Sequence, residues 1–172
     1  MKFVQKEFSS TFEEKKSKFI AYLMPFDMFE VVMNKVKDEH PKARHYVYAY
    51  RYLNEFEQIV ENSSDDGEPK GTSGKPSLAV LAGNELINSA VIIVRYFGGI
   101  KLGTGGLVRA YGDSVNEVIK IATFKEYKKL LIKTLICDYN ELSKLEYLLN
   151  QENITIKNKE FLNQITLTIE LT

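Results

Sequence analysis

Histidine occurs only at His40 and His45, and cysteine only at Cys137. That scarcity leaves a zinc site without enough ligands. A Ser-His-Asp or Cys-His arrangement would have to use one of the two histidines. Cys137 lies far from both, in a strand-like run where a lone cysteine usually packs as a small hydrophobe. One cysteine closes no internal disulfide, which predicts a reducing, cytoplasmic setting. Net charge is also missing, because 23 Lys and Arg balance 23 Asp and Glu. No global basic field draws the chain to nucleic acid, so any such binding must come from a local patch. Residues Met1 to Ser10 carry charges throughout and contain no apolar signal core. The longest apolar runs are too short to span a membrane. A Walker A string is absent, since Gly103-Thr104-Gly105-Gly106 is not one, and the glycine spacing does not match a dinucleotide fingerprint.

What is there concentrates between Asp65 and Tyr111, where most of the ten glycines lie. The stretch opens with Asp65-Asp66-Gly67-Glu68-Pro69 and Gly71-Thr72-Ser73-Gly74-Lys75-Pro76. It continues through an apolar strand, Ile87 to Tyr96, whose consecutive β-branched residues imply burial on both faces. It closes with Phe97-Gly98-Gly99 and Leu102-Gly103-Thr104-Gly105-Gly106-Leu107-Val108-Arg109-Ala110-Tyr111. Glycine costs conformational entropy, so this clustering implies unusual backbone angles or close approach to a ligand or another segment. The two loops are expected to meet at one site. Arg95, Lys101 and Arg109 stand beside a Gly-rich loop that opens a helix, an arrangement suited to an anion, with Lys70 and Lys75 on the first loop. Gly98, Gly99, Gly103, Gly105 and Gly106 would let backbone N–H groups approach phosphate oxygens. Arg109 has a bland alternative, an exposed pair with Asp113 one helical turn on. Asp65, Asp66 and Glu68 suit a divalent metal through oxygen ligands, but they lack calcium-loop spacing and equally suit a turn bonded to its own backbone.

The flanking chain reads as support. Lys2 to Phe8 and Ser17 to Leu23 predict a hairpin or two neighbouring strands. Asp27 with Glu30 predicts a capped helix with Met28, Val31, Val32 and Val36 on its apolar face, ended by Pro41. Tyr46, Tyr48, Tyr50 and Tyr52 alternate along a strand and share one face. Packing is favoured over a base-stacking platform for them, because no RNA-recognition aromatic motif surrounds them. Pro76 suits the first turn of a short helix that ends near Gly83. A longer helix follows from Gly105 or Gly106. After the charged junction Thr123 to Lys129, the pattern restarts as strand, helix, strand, strand. This is a βαββ unit, about half of a ferredoxin-like sandwich, and it stops before a second helix. It is expected to be truncated or completed by a partner. The fold class is therefore α+β in two domains, residues 1–124 and 125–172.

The two long motifs, in this order and spacing, resemble the signatures of the IMPACT family, bacterial YigZ-like branch. The resemblance extends to Arg44-His45 and to the restart at Tyr127. It implies a first domain like domain IV of elongation factor G, a sheet with helices packed on it, and a ferredoxin-like second domain. It further implies a link to translation, since eukaryotic members regulate translation under stress. Some relatives carry a proline-dipeptidase label, but such metal peptidases need a His and carboxylate set that this chain does not supply.

Two functions from different classes follow. The favoured one is a non-enzymatic module that binds RNA or the ribosome, with no cofactor. The alternative is an enzyme on a small phosphorylated ligand, with a divalent metal at the acidic loop. A third, blander reading has the loops only pack against each other or form a protein interface.

Overall fold

The computed structural model describes residues 1–171, and the chain divides into two compact units, Met1–Tyr127 and the remainder from Lys128. Five strands build the main sheet of the first unit: β2 (Phe8–Glu14), β3 (Ser17–Pro25), β4 (His45–Leu53), β5 (Ile59–Ser64) and β6 (Ser89–Tyr96). They pair in the order β2-β3-β6-β4-β5, antiparallel throughout. The apolar strand β6 occupies the middle, and every residue from Ser89 to Arg95 is buried. Helix α1 (Phe29–Glu39) connects β3 to β4, and β6 slots between these two strands. Helices α2 (Gly74–Gly83) and α3 (Gly103–Ile121) complete the unit. A short pair, β1 (Lys2–Val4) with β7 (Phe124–Glu126), brings the two ends of the unit together. Residues 124–126 thus belong to the first unit's pairing.

Strand alternation sorts the core into two layers. Phe19, Ala21, Leu23, Val47, Ala49, Val91 and Ile93 face one way and pack with Leu81, Leu107, Tyr111, Val115 and Val118 of α2 and α3. Tyr22, Met24, Ile92 and Val94 face the other way and meet Val32 and Val36 of α1. The tyrosines of β4 share this second face. Phe26 stacks on Tyr52 with centroids 4.2 Å apart, and Phe29 meets Tyr48 edge-on at 5.1 Å. The ladder is packing, as its alternation with Val47 and Ala49 implied.

Two local expectations are corrected. Asp27 does not cap α1: a single 3-10 turn, Phe26–Met28, precedes the helix, and Met28 holds the cap position without a side-chain bond. Phe26 is drawn into the aromatic stack, so the chain enters by a tighter turn than a capping box allows. The first hairpin strand is Phe8–Glu14 rather than Lys2–Phe8. Its two-residue turn is Lys15-Lys16, which carries none of the residues that usually announce a hairpin.

The second unit runs β8 (Leu131–Cys137), α4 (Leu142–Gln151), β9 (Thr155–Phe161) and β10 (Ile165–Leu171). Its sheet order is β8-β10-β9, antiparallel, so β8 and β9 are parallel with β10 between them. Cys137, Leu149, Ile165, Leu167 and Ile169 form its core. Ile132 and Ile136 alternate with these on β8 and stay exposed. Among the described residues, no helix is long and apolar enough to cross a membrane.

Candidate anion-binding site at the paired glycine loops

Loop Asp65–Ser73 is built around its own carboxylates. Asp65 accepts the backbone N–H groups of Gly71 (2.8 Å), Ser73 (3.1 Å) and Gly74 (2.8 Å). Burial alone would raise its pKa. The N–H groups of Gly71, Gly74 and Ser73, with the charge of Lys75, outweigh burial and hold it below the ordinary 3.8. Asp66 accepts the Tyr46 N–H at 2.7 Å, and its carbonyl accepts His45 Nδ1–H at 2.8 Å. Because a carbonyl can only accept, this contact sets the neutral ring's tautomer. Gly74 lies against the backbone of β5, where an added Cβ would sit 2.8 Å from Ser64.

Glu68 leaves this loop and enters the core. Its Oε1 accepts Arg95 Nη1–H at 2.7 Å and Tyr111 O–H at 2.8 Å, with His45 Nε2 at 3.9 Å. Glu68 is only 7% exposed and Arg95 8%. Burial, then the Glu68 carboxylate, push the Tyr111 phenol well above its usual range. The Arg95 guanidinium lies between the rings of Phe19 and Phe97, 5.8 and 5.7 Å from their centroids. Its Nε is buried without a hydrogen-bond partner. Glu68 therefore ties the first loop to the strand end and the helix that bracket the second loop, and the two motifs meet.

This geometry redistributes the expected roles. Arg95 is turned inward and neutralised by Glu68, so it is not a surface phosphate contact. Asp65, Asp66 and Glu68 each commit an oxygen to a hydrogen bond within the protein, and no group of three such ligands converges among the described residues. Lys101 and Arg109 are exposed and make no ion pair among the described residues, and the expected Arg109–Asp113 pair is not formed. Lys70 and Lys75 are exposed on the first loop and the start of α2, and no hydrogen bond or ion pair ties them to the second loop. Gly99, Gly103 and Gly105 are exposed, and Gly98 and Gly106 half-buried. Helix α3 begins at Gly103, which has φ +73°, and its cap residue Leu102 makes no side-chain bond; Gly103, Thr104 and Gly105 are exposed, and the Arg109 side chain reaches back towards Gly105.

Two cations escaped the sequence reading. An added Cβ on Gly98 would lie 2.0 Å from the backbone of Lys16, and Gly98 N–H donates to Ser17 Oγ at 3.2 Å. The β2–β3 turn therefore rests on the second loop and brings the exposed side chains of Lys15 and Lys16 to it. Lys15 also lines a small cavity of about 120 Å³ with Glu14, Leu102, Gly106, Arg109, Ala110 and Asp113. The signal was present only as an unexplained lysine pair in a charged run.

Fold and site together define a class: an α+β protein of two units in which a buried Glu–Arg–Tyr cluster clamps two glycine-rich loops. Residues 15–119 match the Impact N-terminal domain, and residues 135–172 match a domain of unknown function, DUF1949. The chain belongs to the IMPACT family. It is 40% identical over 162 residues to "IMPACT family member YigZ" of Escherichia coli (strain K12), covering 92% of this chain and 79% of that one. An IMPACT family member of Haemophilus influenzae is 39% identical over 163 residues with the same coverage. A crystal structure of a hypothetical protein aligns with TM-score 0.68 and 36% identity, over 99% of this chain and 84% of that one.

Proposed function

We propose that this protein is a non-enzymatic RNA- or ribosome-binding member of the IMPACT family that acts in the regulation of translation. The observation that carries the reading is the unpaired basic edge of the second loop. Lys101 and Arg109 stand exposed beside an uncapped helix start, and among the described residues neither forms an ion pair with a carboxylate. Phosphate contacts need such cations, and an overall neutral protein must gather them locally. The acidic loop supports this reading as a brace, since its carboxylates hold the loop's own backbone and Arg95. In this reading the first unit is the counterpart of domain IV of elongation factor G, and the second is a ferredoxin-like half.

The test is salt-dependent binding of labelled RNA. Lys101→Ala/Arg109→Ala removes two phosphate contacts and flattens the slope of log affinity against log salt by about 1.4 for a single strand. The loss falls evenly across sequences, because phosphate carries no sequence information. An unchanged affinity and slope in the double variant overturns the assignment.

A further inference from the structure

We propose that the Lys15–Lys16 turn and the exposed ring of Phe97 form a binding site for unpaired RNA, the lysines meeting phosphates and the ring stacking on a base. The proposal rests on the RNA-binding reading above and adds a site to it.

The turn is the first observation. Glu14 pairs with Ser17, so Lys15 and Lys16 are the two central residues of a tight hairpin turn. Both hold positive φ, +48° and +64°. That is the conformation in which a two-residue hairpin favours Asn-Gly, because each L side chain is strained there. Two lysines are a poor choice for the turn and a good one for an anion. Neither makes an ion pair among the described residues, and both are exposed. Strain kept in this turn, at residues whose side chains are exposed, points to a role for those side chains outside the fold.

The ring is the second. Phe97 is 57% exposed although it closely follows a strand buried from Ser89 to Arg95. Lys18 pairs with Tyr96, which places Phe97 beside Ser17 at the end of the ladder. Gly98, the next residue, touches the Lys16 backbone. Phe97 thus sits one residue from the turn. The Arg95 guanidinium lies 5.7 Å from its centroid, so the side chain is backed from within while the rest of it remains open to solvent. An open aromatic beside cations is the arrangement that stacks bases of a single strand, since every base offers a π-face. A duplex hides those faces, which is why unpaired RNA is the ligand inferred. Glu14 and Asp113 also line the cavity that Lys15 and Arg109 share, and among the described residues neither carboxylate forms an ion pair with these cations.

The full-length protein tests this with labelled poly(U) of about twelve nucleotides, within the usual single-strand site size, and a duplex RNA of equal length. The double variant Lys15→Asn/Lys16→Gly suits the turn better than the native pair while removing both charges. The expected result is a Tm at or above wild type together with a salt slope on poly(U) flatter by about 1.4. Phe97→Ala is expected to weaken poly(U) binding about 5-fold or more and to leave duplex binding unchanged. Wild-type affinity and slope in the turn variant, with Lys101→Ala/Arg109→Ala still weakened, overturns this site and leaves the general reading standing. Phe97→Ala binding poly(U) like wild type overturns the stacking role. A wild-type protein that binds neither RNA overturns the site and the general reading together.

Discussion

Glu68 is the residue on which the two loops depend, and its energetics follow from burial. A carboxylate almost without solvent must keep its partners. Arg95→Ala leaves that charge with the Tyr111 hydroxyl and, at 3.9 Å, the His45 ring, and breaking a buried pair from one side costs about 3–5 kcal/mol. Urea unfolding checks this, and a loss below about 1 kcal/mol would show that the pair is not structural. Glu68→Gln in the same background should recover part of the loss, because it removes the orphaned charge. Tyr111→Phe deletes one hydrogen bond to a charged group, a loss of about 1.5–3 kcal/mol. Asp65 adds a pH dependence of defined sign. Its folded pKa is depressed below the ordinary 3.8. Its contribution to stability is therefore complete above that value and disappears as pH falls through the folded pKa. Urea midpoints measured from pH 5 down to pH 2 should fall more steeply for wild type than for Asp65→Asn. Parallel curves would remove Asp65 from this account.

Among the elements, the second loop and the β2–β3 hairpin behave as one piece, because Gly98 lets their backbones touch. Gly98→Ala places a Cβ 2.0 Å from the Lys16 backbone, and backbone cannot swing aside as a side chain end can. The expected cost is about 1–3 kcal/mol, as for other overpacked sites, together with displaced amide resonances at Lys15–Ser17. A variant as stable as wild type with those resonances unmoved would show that the contact is not held in solution. Strand β6 was legible from its β-branched run, and α3 from its three- and four-residue apolar spacing. Strand β2 was not. Its residues Ser9, Thr11, Glu13 and Glu14 are polar, and a Lys-Lys turn carries no turn signal. Helix α1 was legible in extent but not at its start, where stacking of Phe26 on Tyr52 overrides the local capping chemistry of Asp27.

Across the molecule, one topological device appears in each unit: two parallel strands joined by a helix, with a later strand inserted between them. In the first unit it is β3-α1-β4 around β6, and in the second β8-α4-β9 around β10. The units differ in what they bury. The first has helices on both sheet faces and two apolar layers. The second has one helix, one small cluster and exposed isoleucines on β8. A fragment of residues 1–127 is expected to unfold cooperatively alone. A fragment starting at Lys128 lies near the limit of about 40 residues below which chains rarely fold unaided, and should show little ordered structure by circular dichroism. A cooperative transition in the smaller fragment would contradict this.

The sequence by itself determined the mixed α/β fold, the central strand and the family, because each rests on local spacing or on a motif read along the chain. It also located the cations Lys101 and Arg109. Only the tertiary structure decided what the charges do. Glu68 and Arg95 are 27 positions apart, and nothing local distinguishes a buried pair from an acidic loop facing a basic one. Pairing across the sheet turned Arg95 inward, and the close approach at Gly98 carried Lys15 and Lys16 to the second loop. The acidic loop and the basic loop that follows it thus form a buried clamp with an exposed basic edge. Burial and chain crossing, which no linear pattern records, separate the two.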